Sequence, residues 1–155
     1  MTIFLTRTVR FSAAHRYHRP EWSGERNREV FGACNNPYGH GHNYLLEATV
    51  AGEPDPLTGF CVDLAELDRV LREEVLERLD HQHLNHAVPE FAEGGVIPTT
   101  ENIVGLLWRW VAPRVPEPAR LMRLRLREDT DLWVDSYGPA EEEPTSAWRE
   151  RLREV

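Results

Sequence analysis

The stretch "CNNPYGHGHNY", residues 34–44, holds a cysteine, a turn and two histidines separated by one glycine. Asn36, Pro37 and Gly39 are turn residues. His40 and His42 need another explanation. On an extended backbone, side chains two apart leave from the same face. Both imidazoles then converge on one point, as a metal ion requires. Two ligands are too few for a tight site. His15 ends a neighbouring apolar segment and can supply a third. Three neutral imidazoles with one open position make a catalytic zinc site, whereas a structural site takes a fourth protein ligand. The plainer reading, surface or capping histidines, suits a lone histidine better than this set.

Cys34 lies six positions before His40, across the turn, so it reaches the metal or stands beside it. A free cysteine is more often a small buried hydrophobe. Cys61, between Phe60 and Val62, fits that role better. "LDHQHLNH" contributes Asp80, His81, His83 and His86. A carboxylate orients and charges a neighbouring imidazole, and a charged imidazole lowers a nearby thiol's pKa. His83 and His86 read as histidines favoured by a helix C-terminal dipole. Glu128 falls on the inward register of a strand, where a carboxylate needs a partner such as a ligand with amide-like donors. Glu101, after Thr99 and Thr100, reads alone as a routine first-turn acid.

These groups must be carried by a small set of elements. Residues 3–15 read as a strand whose odd positions are apolar except Arg7 and end on His15. Residues 16–39 lack periodicity and read as a long loop, a common home of function. Residues 42–51 read as a second strand. Asp63 caps a helix to about Leu79, with Leu64, Leu67, Leu71 and Val75 inward. Thr99 or Thr100 caps a second helix, with Ile103, Leu107 and Trp110 inward and Pro113 near its end. Residues 120–128 form a strand with Met122, Leu124 and Leu126 on one face and Arg123, Arg125 and Arg127 on the other. "LWVDSYG" returns after the "DTD" turn. The expectation is an α+β fold: a four-stranded antiparallel sheet with two helices on one face. A single domain covers residues 1–138. Residues 139–155 are a polar C-terminal extension, a short helix or a loose tail. An open sheet has edges to manage, and oligomerisation is one remedy.

Composition sets the outer bounds. The chain has 155 residues, 41% hydrophobic and 28% charged, as for a soluble domain. A net charge of -8 argues against non-specific nucleic-acid binding. No signal peptide or transmembrane run is visible, so the cytoplasm is expected. All 18 basic residues are arginine. Six of them, Arg7, Arg10, Arg16, Arg19, Arg26 and Arg28, crowd the first 28 positions.

Several linked motifs together resemble the 6-pyruvoyl-tetrahydropterin synthase family. They are "FSAAHR", "CNNPYGHGHNY", "GEPDPLTGFCVDLAEL", "LDHQHLN", "PTTEN" and the "REDTD" hairpin, and the likeness spans residues 3–138. The resemblance implies the tunnelling fold, in which three subunits close their sheets into a β-barrel and two trimers stack as a homohexamer. It implies active sites between subunits, with Zn2+ on His15, His40 and His42. By the same resemblance Cys34 is the catalytic thiol, tuned by Asp80 and His81. Glu101 would anchor the pterin with Thr99 and Thr100 beside it, and Glu128 would be a further active-site acid. The substrate implied is 7,8-dihydroneopterin triphosphate, converted with loss of triphosphate and without an external redox cofactor. Arg16 and Arg19 are the expected contacts for the phosphates.

The nearest alternative is 6-carboxytetrahydropterin synthase of the queuosine pathway, which releases acetaldehyde from the same substrate. That enzyme has a shorter spacing between cysteine and His-Gly-His; here five residues intervene, as in the pyruvoyl enzyme. Tyr38 departs from the residue more usual in that turn. A cupin-type metal oxygenase also uses His-x-His, but the helices argue against an all-β cupin. A non-catalytic pterin- or metal-binding homologue is opposed by the joint presence of Cys34, Asp80, His81 and Glu101.

Overall fold

The structure is a computed structural model that describes residues 1–139. The expected C-terminal extension therefore lies, from residue 140 on, outside the described residues.

β1 (Ile3–His15) and β2 (His40–Gly52) pair antiparallel along their whole length, from Ile3 opposite Gly52 to His15 opposite His40. β2 begins two residues earlier than its apolar pattern, so His40 and His42 are both on the strand. Beyond β2 lies β4 (Arg120–Arg127), and β5 (Trp133–Ser136) returns beside it as a hairpin. A fifth strand, β3 (Gln82–His83), pairs parallel with Ala13 and Ala14 of β1. The sheet order is β3-β1-β2-β4-β5, so the strands number five rather than four. Two residues are too few to show a period of two, which is why β3 left no trace in the pattern.

One sheet face is covered by helices. α2 (Leu64–Leu71) is capped by Asp63, whose carboxylate accepts from the amides of Ala65 and Glu66. It runs through a π-turn at Arg72–Leu76 into α3 (Glu77–Leu79). Leu67, Leu71 and Val75 are buried as expected, but Leu64 is 42% exposed. It sits in the first turn, shortly after the solvated 53–60 segment. Arg7 breaks the apolar set of β1 because its guanidinium holds Asp68 of α2 with two bonds, 2.6 and 2.8 Å.

α5 (Thr100–Val111), capped by Thr99, packs Ile103, Leu107 and Trp108 against β4 and β5. Trp110, expected inward, is only partly buried and lies under the Arg78 guanidinium at 3.8 Å. Trp108 takes the buried place instead.

The other face is polar. Arg123 and Arg127 reach Glu47 at 3.5 and 2.9 Å, and Arg125 reaches Asp135 at 2.7 Å.

The expected loop at 16–39 is more ordered than its sequence suggested. It contains α1 (Gly24–Phe31), capped by Ser23 and ended by Gly32 at φ 53°, then a tight turn over Gly32–Asn35. Most of α1 faces solvent, so no apolar stripe announced it. Its anchor is Asn27, fully buried, which accepts from the Arg19 amide and donates to the Arg19 carbonyl. The "LDHQHLNH" segment continues after β3 as the single turn α4 (Leu84–Ala87).

Candidate metal centre and active site

Strand register assembles the histidines. His15 and His40 are direct cross-strand partners, and His42 is opposite Ala13. Opposed Cβ atoms stand roughly 5 Å apart. The small Ala13 leaves room for all three rings on the helix side. The three ligand atoms of His15, His40 and His42 lie within 4.8 Å of one another. Nε2 of His15 and Nε2 of His40 are 3.2 Å apart. Two nitrogens on one tetrahedral zinc at its usual bond length stand about 3.3 Å apart.

His15 is fully buried, and its Nδ1–H donates to the Pro98 carbonyl at 3.0 Å. That bond leaves the Nε2 lone pair facing the other rings. Burial, reinforced by the neighbouring His40 and His42, pushes the His15 pKa down to about 4, so the ring is neutral. Burial and His42 also lower His40. Nδ1 of His40 and Nε2 of His42 are buried without a hydrogen-bond partner. A neutral, buried His15, three ring nitrogens gathered within 4.8 Å and buried nitrogens without partners fit a divalent cation with nitrogen preference.

Gly39 makes the approach possible. Its φ is 73°, and a Cβ there would come within 2.7 Å of His83 Nε2 and 2.8 Å of the His15 carbonyl.

Glu128 closes one side. It follows β4, and its carboxylate lies 3.1 Å from His42 Nε2, close but not aligned as a hydrogen bond. The Thr100 hydroxyl donates to its other oxygen. The inward carboxylate predicted to need a partner thus has one hydrogen-bond donor, Thr100, with the His42 ring beside it.

Cys34 sits in the Gly32–Asn35 turn, tied to the exit of β1 by Tyr17 N–H to Cys34 carbonyl at 2.8 Å. It stands outside the ligand set. Burial, then the charge of Glu128, pushes its thiol up.

The remaining expected residues are spread wider. His81 Nδ1 is 3.0 Å from Asp80, whose other oxygen accepts from the Ser12 amide. The His81 side chain is 82% exposed, on a backbone with φ 57°. Among the described residues, no hydrogen bond joins this pair to Cys34. Thr99 and Glu101 stand at the start of α5, with Glu101 exposed. Arg16 lies one residue past His15, and Arg19 donates to the Gly95 carbonyl at 3.3 Å.

Two tyrosines escaped the sequence reading. The Tyr17 ring packs 4.8 Å from His15. The Tyr44 hydroxyl lies 3.3 Å from His15 Nδ1. Burial and then Glu128 raise both phenols. The alternation His40, His42, Tyr44 was a visible signal for the second.

The family model for 6-pyruvoyl tetrahydropterin synthase matches residues 4–139. A 6-pyruvoyl tetrahydrobiopterin synthase from Poecilia reticulata is 46% identical over 113 residues, 73% of this chain and 76% of that protein. The Homo sapiens protein of the same name is 45% identical over 104 residues, 67% of this chain and 70% of that one. The solved structure of Caenorhabditis elegans 6-pyruvoyl tetrahydropterin synthase matches with a TM-score of 0.82 and 32% identity, covering 90% of this chain and 97% of that one.

Proposed function

Since the chain belongs to the 6-pyruvoyl tetrahydropterin synthase family, we propose that it converts 7,8-dihydroneopterin triphosphate to 6-pyruvoyl-tetrahydropterin with elimination of triphosphate. The observation that carries this reading is the group of three imidazoles with Glu128 against His42. His15, His40 and His42 hold the metal, which we take to be Zn2+. When bound, zinc supplies Lewis-acid polarisation of the substrate's side-chain oxygens.

Cys34 takes the proton from a side-chain carbon as general base. Its pKa is raised within one chain, so a nearby cation must favour the thiolate. The exposed Asp80–His81 pair of a neighbouring subunit is placed to tune that thiol. Glu101, Thr99 and Thr100 bind the pterin, Glu128 completes the site as a fixed acid, and Arg16 and Arg19 serve the anionic end.

Shared sites require an oligomer, here a homohexamer whose trimers close the sheets into a barrel. The uncovered edge of β1 supports this: β3 pairs with it only at Ala13 and Ala14. Among the described residues, no helix is long and apolar enough to cross a membrane. A cytoplasmic enzyme completes the reading.

The test is incubation of purified protein with dihydroneopterin triphosphate and product identification by mass spectrometry. A 6-pyruvoyl product with one triphosphate per turnover is expected. A 6-carboxy product with acetaldehyde would move the assignment to the queuosine-type reaction, and pterin binding without turnover would leave a binding protein.

A further inference from the structure

Past the end of β1 lies a cavity of about 390 Å³ whose lining includes Arg16, His18, His83, Asn85 and His86. One acid, the exposed Glu93, also borders it. Arg16 donates through Nε to the Asn35 carbonyl at 3.4 Å and through a terminal nitrogen to His18 Nδ1 at 3.2 Å. Among the described residues no carboxylate pairs with it, whereas Arg7, Arg114 and Arg125 are all held by acids.

His18 Nδ1 also accepts from the Asn35 amide at 3.0 Å. Two donors on Nδ1 leave the ring proton on Nε2, so the far side of His18 is a donor. The rings of His83 and His86 pack 4.5 Å apart. The walls are preset: Asn85 accepts from the Arg16 amide at 2.8 Å and donates to the Arg16 carbonyl at 3.0 Å and the Phe91 carbonyl at 3.2 Å.

The cavity shares a wall with the metal centre. Arg16 follows His15 in the chain, and His83 Nε2 lies against Gly39, the residue before His40. A guanidinium with N–H groups to spare, an oriented imidazole N–H and a histidine pair suit an anion. We infer that this cavity binds the triphosphate tail of the substrate, with Arg16 and His18 as donors and His83 and His86 as the facing wall. The identity of the anion rests on the function proposed above. Arg19 braces the wall through Gly95 and lies 4.0 Å from Glu21.

The test titrates inorganic tripolyphosphate into the zinc-loaded full chain by calorimetry, with zinc content measured before and after. Arg16→Gln should weaken binding about tenfold or more, the scale of a lost charge-assisted bond. His86→Glu, at an exposed position that leaves the fold intact, should weaken it about tenfold. Zinc content should stay at the wild-type value in both. Wild-type affinity in both folded variants would overturn the inference, as would a wild type that binds no tripolyphosphate. Arg16-dependent binding by a protein that forms no pterin product would keep the anion cavity and remove the assigned reaction.

Discussion

Six of the seven histidines fall into two groups of three, and one ring in each, His15 and His18, is held by its partners with opposite polarity. His15, His40 and His42 stand on paired strands, so register turns their nitrogens toward one another. The His15 proton is spent on the Pro98 carbonyl, and a lone pair faces the site. His18, His83 and His86 come from the β1 exit, β3 and α4. There Arg16 and Asn35 occupy the lone pair of His18 and leave its N–H facing outward. The same side chain turns a lone pair or an N–H toward its surroundings according to which partner claims its Nδ1, the Pro98 carbonyl for His15 or the Arg16 and Asn35 donors for His18. Residue type alone decides neither outcome.

The largest effects separate the two groups by what is lost. On the zinc site proposed above, His42→Ala should abolish metal retention and reduce turnover by about a thousandfold or more, the scale of losing the catalytic constellation. Cys34→Ala should lower turnover by about a hundredfold to ten-thousandfold, the range for removing a general base, yet keep one zinc per chain. Metal analysis and steady-state kinetics on the same preparations check both. Zinc retained in His42→Ala would break the comparison at its first term. Zinc lost in Cys34→Ala would make the thiol a ligand instead of a base.

A smaller effect appears in acid. In chelator-treated protein the folded His15 pKa is about 4, while the unfolded value is near 6.5. The unfolded chain therefore binds the proton first, and stability falls as pH drops through the window from about 6.5 to about 4. Between pH 7 and pH 5 the expected loss is about 2 kcal/mol. Burial and His86 lower His83 in the same direction. Denaturant melts at the two pH values measure the change. Equal stability would mean that His15 takes up its proton inside the fold, and its assigned lone pair would be wrong.

The division between what was legible and what was not follows the same physics. The long strands and the helices capped by Asp63 and Thr99 were readable because pattern and caps are local. The convergence of His40 and His42 was readable for that reason, since a period of two needs no partner. His15 was placed from its position at a strand end, and the register pairing it with His40 completed the set. α1 and β3 were not readable: one is solvent-facing around a buried asparagine, the other two residues long. Trp110 and Leu64 went astray because helix ends and long side chains bend the ideal stripe. The donors around Arg16 depend on contacts between segments 17 to 19 residues apart, which no local pattern reveals.

The smallest effect tests which partner sets the His15 tautomer. Nδ1 of His15 has one proton and two neighbours, the Pro98 carbonyl at 3.0 Å and the Tyr44 hydroxyl at 3.3 Å. A carbonyl can only accept, so the shorter contact fixes Nδ1 as the donor. Tyr44 is buried and stacked on Phe11 with ring centroids 5.0 Å apart, and phenylalanine would preserve that packing. Loss of an outer-sphere partner of a metal ligand often costs about tenfold to a hundredfold in affinity. Here Pro98 remains, so Tyr44→Phe should weaken zinc binding by less than about threefold on that scale. Competition against a chelating dye measures it. A loss of tenfold or more would transfer control of the ring to the tyrosine and leave the Pro98 carbonyl a bystander.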